Sequence, residues 1–287
     1  MIICITGPTG VGKTQLTIKL ASILNGEIIN ADSTQVYKGM DIATAKVKDK
    51  EGITHYLMDI KDLDDDYTVY DYQRDCRMYI DKILDSNKVP IIVGGTGLYI
   101  KAALYDYRFD TETTSDTFDN ISTDDLYKML ISMDADTSIH PNNRKRIIRA
   151  LNRQNNNSST FNNGDKLLYD VVFIGLTTQR NILYDNINKR VDDMFKEGLL
   201  NEAKSIYDSG IRSKAVMTPI GYKELFPYFK GEKSLNECIE LIKQNSRRYA
   251  KRQYTWFNNK MDINWFNVDF NNFDNTVKEV LDFINKY

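Results

Sequence analysis

The sequence predicts an α/β protein: a parallel sheet flanked by helices and interrupted by a helical insertion. Three observations carry this. Short apolar runs alternate with helical patterns from the first residue to Gly95. The stretch ITGPTGVGKT stands between one such run and one such helix. The alternation then breaks near Tyr105, and an apolar run, YDVVFIGL, resumes only at Tyr169. A chain of 287 residues is long enough for one sizeable core that carries a smaller insertion.

Met1–Thr6 reads as a buried strand. Lys13–Leu24 follows as a helix, with Leu16, Leu20, Ile23 and Leu24 on one face. Glu27–Ala31 is a second short strand. Thr68-Val-Tyr-Asp71 is a capping-box signature that opens a helix to about Leu84. Val89–Val93 is a strand that ends in Gly94-Gly95. The stretch from Tyr105 to Asp125 is rich in Asp, Thr and Ser and poor in apolar residues. Two helical stretches follow, near Asp124–Met133 and Asn142–Arg153, and then a polar loop, NRQNNNSSTFNNGD. Beyond Arg180 the chain is helical almost to its end, with one short strand near Ile263–Val268. The expected division is a core of residues 1–104 and 166–287 around an insertion of 105–165.

Composition excludes several classes. The formal net charge of -2 announces no bulk nucleic-acid binder, so basic residues have to be read locally. Cys4, Cys76 and Cys238 lie far apart with no CxxC spacing. That implies neither a disulfide framework nor a zinc site, and a reducing compartment, the cytoplasm, is expected. His55 and His140 are the two histidines, too few for triads or metal clusters, and both read as structural. No apolar run reaches the roughly eighteen residues of a membrane span.

Gly7-Pro8-Thr9-Gly10-Val11-Gly12-Lys13-Thr14 fits G-x-x-x-x-G-K-[ST] in full, with a strand before it and a helix after. Such a P-loop turns backbone N–H groups toward phosphate oxygens, and the helix start adds its positive end. Lys13 supplies a full charge, and the Thr14 hydroxyl is placed to ligate Mg²⁺. The motif specifies phosphate but not ATP. A nucleotide hydrolase also shows an apolar strand ending in Asp, which helps to hold Mg²⁺. Here the matching strand, VPIIVGGTG, ends in glycines.

Asp32 follows strand EIINA directly, and ligands of parallel sheets bind outside the carboxyl ends of the strands. A carboxylate there acts as a general base, holds a metal, or caps the next turn. Gly94-Gly95-Thr96-Gly97 ends the third strand on the same side. Its glycines permit close approach of a ligand or form a tight strand-to-helix turn, and Thr96 offers a hydroxyl.

ITGPTGVGKT, ADSTQVYKGMDIATAK, VGGTGLYIKA, HPNNRKRIIRAL, IGYKE and AKRQYTWF occur in this order over nearly the whole chain. Together they resemble the tRNA dimethylallyltransferases (tRNA isopentenyltransferases), whose fold is similar to that of P-loop kinases. The resemblance implies a P-loop NTPase-like sheet. It implies transfer of a dimethylallyl group from dimethylallyl diphosphate to N6 of the tRNA adenosine just 3′ of the anticodon, position 37. It further implies that the cradle, Gly7 to Thr14, holds the donor's diphosphate with Mg²⁺, and that Arg190 contacts it. Asp32 becomes the general base, and Thr96 lies near the acceptor amine or the diphosphate. Asp32, Ser33, Thr34 and Gln35 touch the anticodon stem-loop. The family pattern is departed from at Asn143, where Asp is usual, and at Asn258, where Arg is usual.

Two basic clusters add a candidate RNA surface. Arg144, Lys145, Arg146, Ile147, Ile148, Arg149 and Arg153 contain no acid, and Lys145 to Arg149 are expected at the RNA face of the insertion. Lys243, Arg247, Arg248, Lys251 and Arg252 form a second set, interleaved with Tyr249, Tyr254 and Trp256, with Arg248 and Arg252 on one helical face. A monomer is expected. Three rival readings stand beside this one. A P-loop kinase or ATPase needs a strand-end carboxylate that the third strand lacks. Prenyl transfer to a free adenine nucleotide needs neither the insertion nor the basic clusters. An RNA binder with a relic cradle has no need of Lys13, Thr14, Asp32 and Thr96 together.

Overall fold

The structure is a computed structural model that describes residues 1–109, 118, 120–137, 139–155 (backbone only for 153–155) and 164–287. Along the chain run β1 (Ile2–Thr6), α1 (Lys13–Ile23), β2 (Gly26–Asn30), β3 (His55–Tyr56), α2 (Val69–Asp85), β4 (Val89–Val93) and α3 (Gly97–Leu104). There follow α4 (Thr123–Met133), α5 (Arg144–Asn155), β5 (Val171–Thr177), α6 (Arg180–Lys196), α7 (Leu199–Asp208) and α8 (Lys214–Met217). The chain ends with α9 (Tyr222–Phe229), α10 (Leu235–Lys260), β6 (Asn264–Asn267) and α11 (Phe273–Ile284). Much of the Asp-, Thr- and Ser-rich segment and of the NRQNNNSSTFNNGD loop lies outside the described residues, as does the side chain of Arg153.

All described strand pairings are parallel, in the order β3-β2-β4-β1-β5-β6. The inner strands β1, β4 and β5 are apolar on both faces, as a sheet covered on both sides requires. Ile2, Cys4, Ile29, Ile92, Val171 and Phe173 face a core completed by Tyr72 and Ile80 of α2, Tyr99 of α3, Leu225 of α9 and Phe257 of α10. Ile3, Ile5, Ile28, Ile91, Val172 and Ile174 face the other core, completed by Leu16 and Leu20 of α1 and Val277, Val280 and Ile284 of α11. The two-residue β3 went unread in the sequence because it has too few residues to show a period of two.

Local chemistry fixes the helices that carry the site. The capping box of α2 is formed: the Thr68 hydroxyl accepts from the Asp71 amide, and the Asp71 carboxylate accepts from the Thr68 amide. Arg77 of α2 donates to the carbonyls of Ala102, Ala103 and Tyr105 at 2.7–3.1 Å. A cation at the carboxyl end of α3 satisfies groups that have no partner within the helix. It holds α3, and so the Gly94–Gly97 turn at its start.

Residues Met1–Tyr105 with Lys166–Tyr287 form one compact unit, and Asp106–Asp165 form a second. Within the second, α4 and α5 enclose a small core of Phe118, Leu126, Leu130, Ile147 and Leu151. Arg144 donates to the carbonyls of Phe118 and Ile121 at 2.7 and 2.6 Å, which ties α5 to the segment before α4.

The end of β4 leaves no room for a side chain. The Gly94 amide donates to Ile5 O, and a Cβ at Gly94 would fall 2.2 Å from the Ala31 carbonyl. Gly94→Ala therefore forces β2 and β4 apart. A loss of about 1–3 kcal/mol or more is expected in urea denaturation, and an unchanged midpoint would contradict this placement of the strand ends.

Candidate active site

The carboxyl ends of β1, β2 and β4 bring three loops together, the P-loop, Asp32–Gln35 and Gly94–Gly97. A cavity of about 690 Å³ opens beside them. It is lined by Thr9, Gly10, Gly12, Lys13 and Thr14 of the cradle, by Asp32 to Gln35, by Gly94 and Gly95, and by Arg190 of α6. Gly10 and Gly12 have φ of 82° and 94°, the left-handed conformation that turns successive N–H groups inward. Gly7, Pro8 and Val11 are buried beneath the loop as its support.

Lys13 and Arg190 face the same space. The Lys13 ammonium donates to Pro8 O at 2.8 Å. Burial and the Arg190 charge push its pKa down to about 7, while Asp32 opposes them. Arg190 is pulled down by burial and supported by Asp32 and Glu197. Among the described residues it has no ion-pair partner within 4 Å. Two buried cations, one of which disfavours the charged form of the other, stand above a nest of N–H groups and make a site that a polyanion stabilises.

Asp32 has a divided role. Its Oδ1 accepts from the Thr34 amide at 2.9 Å and from the Thr34 hydroxyl at 2.7 Å, so the turn-capping reading holds for one oxygen. Oδ2 takes no hydrogen bond among the described residues, and the carboxylate lies within the field of Lys13, Arg190 and Tyr249. Thr96 does not line the cavity with Asp32. Its hydroxyl accepts from the Ser33 amide at 3.0 Å and pairs with the Ser33 hydroxyl at 3.3 Å, joining the second and third loops. The Gln35 amide donates to Thr44 O at 2.9 Å and so builds the loop that follows it. The Thr14 hydroxyl is exposed at the helix start and hydrogen-bonds with no described residue. With phosphate oxygens and water it fits the oxygen set that Mg²⁺ takes. No group of three or more His, Cys, Asp or Glu among the described residues could hold a metal alone.

The IPP transferase family model matches residues 35–260. The chain belongs to that family. It is 46% identical to the tRNA dimethylallyltransferase of Anoxybacillus flavithermus, over 99% of this chain and 96% of the relative. It is also 46% identical to that of Bacillus subtilis, over 93% and 90%. Among solved structures, a tRNA isopentenylpyrophosphate transferase from Bacillus halodurans superposes with a TM-score of 0.78 at 41% identity, covering 99% of this chain and 95% of that one. A eukaryotic dimethylallyltransferase acting on tRNA superposes with a TM-score of 0.86 at 32% identity, covering 99% and 79%. The sheet flanked by helices is thus the P-loop-like fold of this family.

The family motif AKRQYTWF contains a group that the sequence reading passed over. Gln253, buried on α10, accepts the Thr9 amide on Oε1 and donates from Nε2 to Gly95 O, both at 3.0 Å. A Cβ at Gly95 would lie 2.0 Å from Gln253 Nε2, and one at Gly97 would lie 2.1 Å from the Trp256 ring. The glycines are therefore crowded by the protein's own α10. Its spacing gave the only available signal: Ile242, Asn245, Ser246, Tyr249 and Gln253 share a face and line the cavity. The apolar part of the wall includes Ala43, Ala45, Val191, Met194 and Ile220. The motif IGYKE supports it from behind. Tyr222 donates to Glu202, whose carboxylate accepts the successive amides of Asp41, Ile42 and Ala43 at 2.9–3.1 Å.

The basic clusters divide. Arg144 is a structural anchor and Ile147 is buried in the core of the second unit, so neither offers its side chain to a ligand, and Ile148 is partly packed there. Lys145, Arg146 and Arg149 are exposed. In the second cluster Lys243 pairs with Asp192 at 2.8 Å, an acid that the helix's own sequence could not reveal, and Arg247 donates to Asn188. Arg248, Lys251 and Arg252 are exposed. No helix among the described residues is long and apolar enough to cross a membrane.

Because Lys13 titrates near pH 7, a large share of the free protein lacks that proton at pH 8. A bound anion raises the pKa, so pyrophosphate binding at pH 8 takes up about one proton more in the native protein than in Lys13→Met. Calorimetry in buffers of different ionisation enthalpy measures this, and equal uptake by both proteins contradicts the shift.

Proposed function

We propose that this chain transfers the dimethylallyl group of dimethylallyl diphosphate to N6 of adenosine 37 in tRNA and releases diphosphate. The observation that carries this reading is one cavity in which Lys13 and Arg190 stand beside the unbonded oxygen of Asp32. One part receives a polyanionic leaving group and the other receives a proton. Family membership and the names of the relatives supply the donor and the acceptor.

In the reaction the C1–O bond of the donor breaks, and its electron pair leaves with the diphosphate. The N6 lone pair forms the new C1–N6 bond, and one N6 proton passes to Asp32 Oδ2. Negative charge grows on the leaving oxygens as this happens. Lys13, Arg190 and the cradle's N–H groups are already aimed there, so stabilising the transition state requires little rearrangement. The Thr14 hydroxyl would help to hold Mg²⁺, which would supply further charge neutralisation. Thr34 holds Asp32 through Oδ1, and Thr96 holds Ser33, so the carboxylate keeps its aim. The apolar wall of Ala43, Ala45, Val191, Met194 and Ile220 shelters the dimethylallyl group from water.

The RNA reading places Asp32 to Gln35 against the anticodon loop, with its target base extruded from the stack. Lys145, Arg146 and Arg149 of the insertion and Arg248 and Arg252 of α10 meet backbone phosphates. We read the protein as a monomer in the cytoplasm, where its three unpaired cysteines suit a reducing medium. ATP turnover is disfavoured, because β4 ends in glycines instead of a carboxylate.

Incubation with unmodified tRNA, Mg²⁺ and dimethylallyl diphosphate, followed by mass spectrometry of the nucleosides, tests the function. Prenylated adenosine is expected, and ATP converted to ADP without it would refute the reading. In the same assay under single turnover, Asp32→Ala loses about 10²–10⁴ in rate and keeps most of its tRNA affinity. A near-normal rate removes Asp32 as the base.

Replacing Lys145 and Arg146 together by Ala weakens tRNA binding. The slope of log affinity against log salt becomes shallower by roughly 1.5–2. An unchanged slope shows that the insertion does not follow phosphates there.

A further inference from the structure

The cavity face of α10 carries one aromatic that no step above uses. Tyr249 lies one helical turn before Gln253. Its side chain lies next to those of Gln253 and Thr96, the two that join the three loops. Burial first, and then the Asp32 carboxylate, keep the phenol protonated. It is thus a neutral ring within the field of the group that takes the acceptor's proton. The Arg252 guanidinium lies 5.6 Å from the centroid of that ring. Aromatic rings and guanidinium planes are the surfaces on which unstacked bases pack. Here both occur at the cavity wall beside Asp32.

We propose that Tyr249 is the positioning residue for the acceptor base: the extruded adenine stacks on its ring, with Arg252 completing the surface. This rests on the acceptor being a tRNA adenosine. A base that leaves its stack loses both neighbours, and a protein ring offsets part of that loss. The tilt of the ring then decides whether N6 points at Asp32. Tyr249 is only partly buried and lines the cavity, unlike Phe257 two turns on, which is fully buried in the core.

The test uses tRNA in which 2-aminopurine replaces the acceptor adenosine. That base lacks the amine at C6, so it stays unreacted, and stacking quenches its emission. Bound to the native protein it is dim. Bound to Tyr249→Leu it is expected to be bright, and with Tyr249→Phe it is expected to stay close to native. With natural tRNA, kcat/KM falls roughly 10–100-fold in Tyr249→Leu and much less in Tyr249→Phe. Unchanged pyrophosphate binding by both variants shows that fold and cradle survive. Emission as dim in Tyr249→Leu as in the native protein overturns the platform. So do equal losses in the two variants, which would assign the effect to the hydroxyl alone. If the native protein prenylates no tRNA, the functional reading falls and the platform falls with it. An active native protein with an unaffected Tyr249→Leu removes the platform alone.

Discussion

One buried side-chain amide holds the candidate site together. Gln253 accepts a hydrogen bond from the Thr9 amide on Oε1 and donates one to Gly95 O from Nε2. These are backbone groups of two different loops, and neither loop belongs to the helix that carries Gln253. Without the amide, a part-buried N–H and a buried C=O lose their partners, and the buried one alone costs about 1–3 kcal/mol. The distance between them would no longer be set. That distance separates the cradle, where the leaving group sits in the proposed reaction, from the β4 turn next to Asp32. The crowding of Gly95 and Gly97 against Gln253 and Trp256 follows from the same contact, because α10 can reach the loops only where side chains are missing.

The second constraint is electrostatic. Lys13 and Arg190 are kept half out of water, and the Arg190 charge weakens that of Lys13. A folded protein gains nothing from this arrangement alone, and Lys13 is left with the Pro8 carbonyl as its nearest partner. The arrangement makes sense for a ligand that brings its own negative charge. The sequence pattern already pointed to phosphate. What it lacked was Arg190, which stands 177 residues beyond Lys13 on a helix whose pattern looks like an ordinary solvated one. The resemblance pointed to Arg190, and the fold brings it to the cradle.

The sheet was legible because its strands are short, apolar and punctuated by glycine, and because the cradle marks the junction of β1 and α1. The turn at Asp32 was legible as a place, since it follows a strand directly, but not as a division of labour between two oxygens. Only the folded structure separates Oδ1, which serves the turn, from Oδ2, which no described residue binds. The basic clusters were half legible. Charge runs along one helix can be counted from sequence, but partners on another helix cannot, so Asp192 beneath Lys243 stayed hidden. Ile147 sat in the middle of a basic run and still turned inward, as an apolar residue at helical spacing should. Gln253 was hidden for a different reason. A lone glutamine carries no charge, its helical spacing marks only a face, and its worth comes from two loops that meet it in space.

α10 therefore has two faces with separate duties. Its exposed side carries Arg248, Lys251 and Arg252. Its inner side carries Tyr249 and Gln253, and the two sets interleave within about one and a half turns. A helix is stiff along its axis, so residues this close move together. Whatever settles on the basic face adjusts the same segment whose amide fixes the cradle against the β4 turn. In the proposed reaction, with a site assembled from three loops, that leaves one helical segment to meet the RNA outside and to set the spacing of the reacting groups inside.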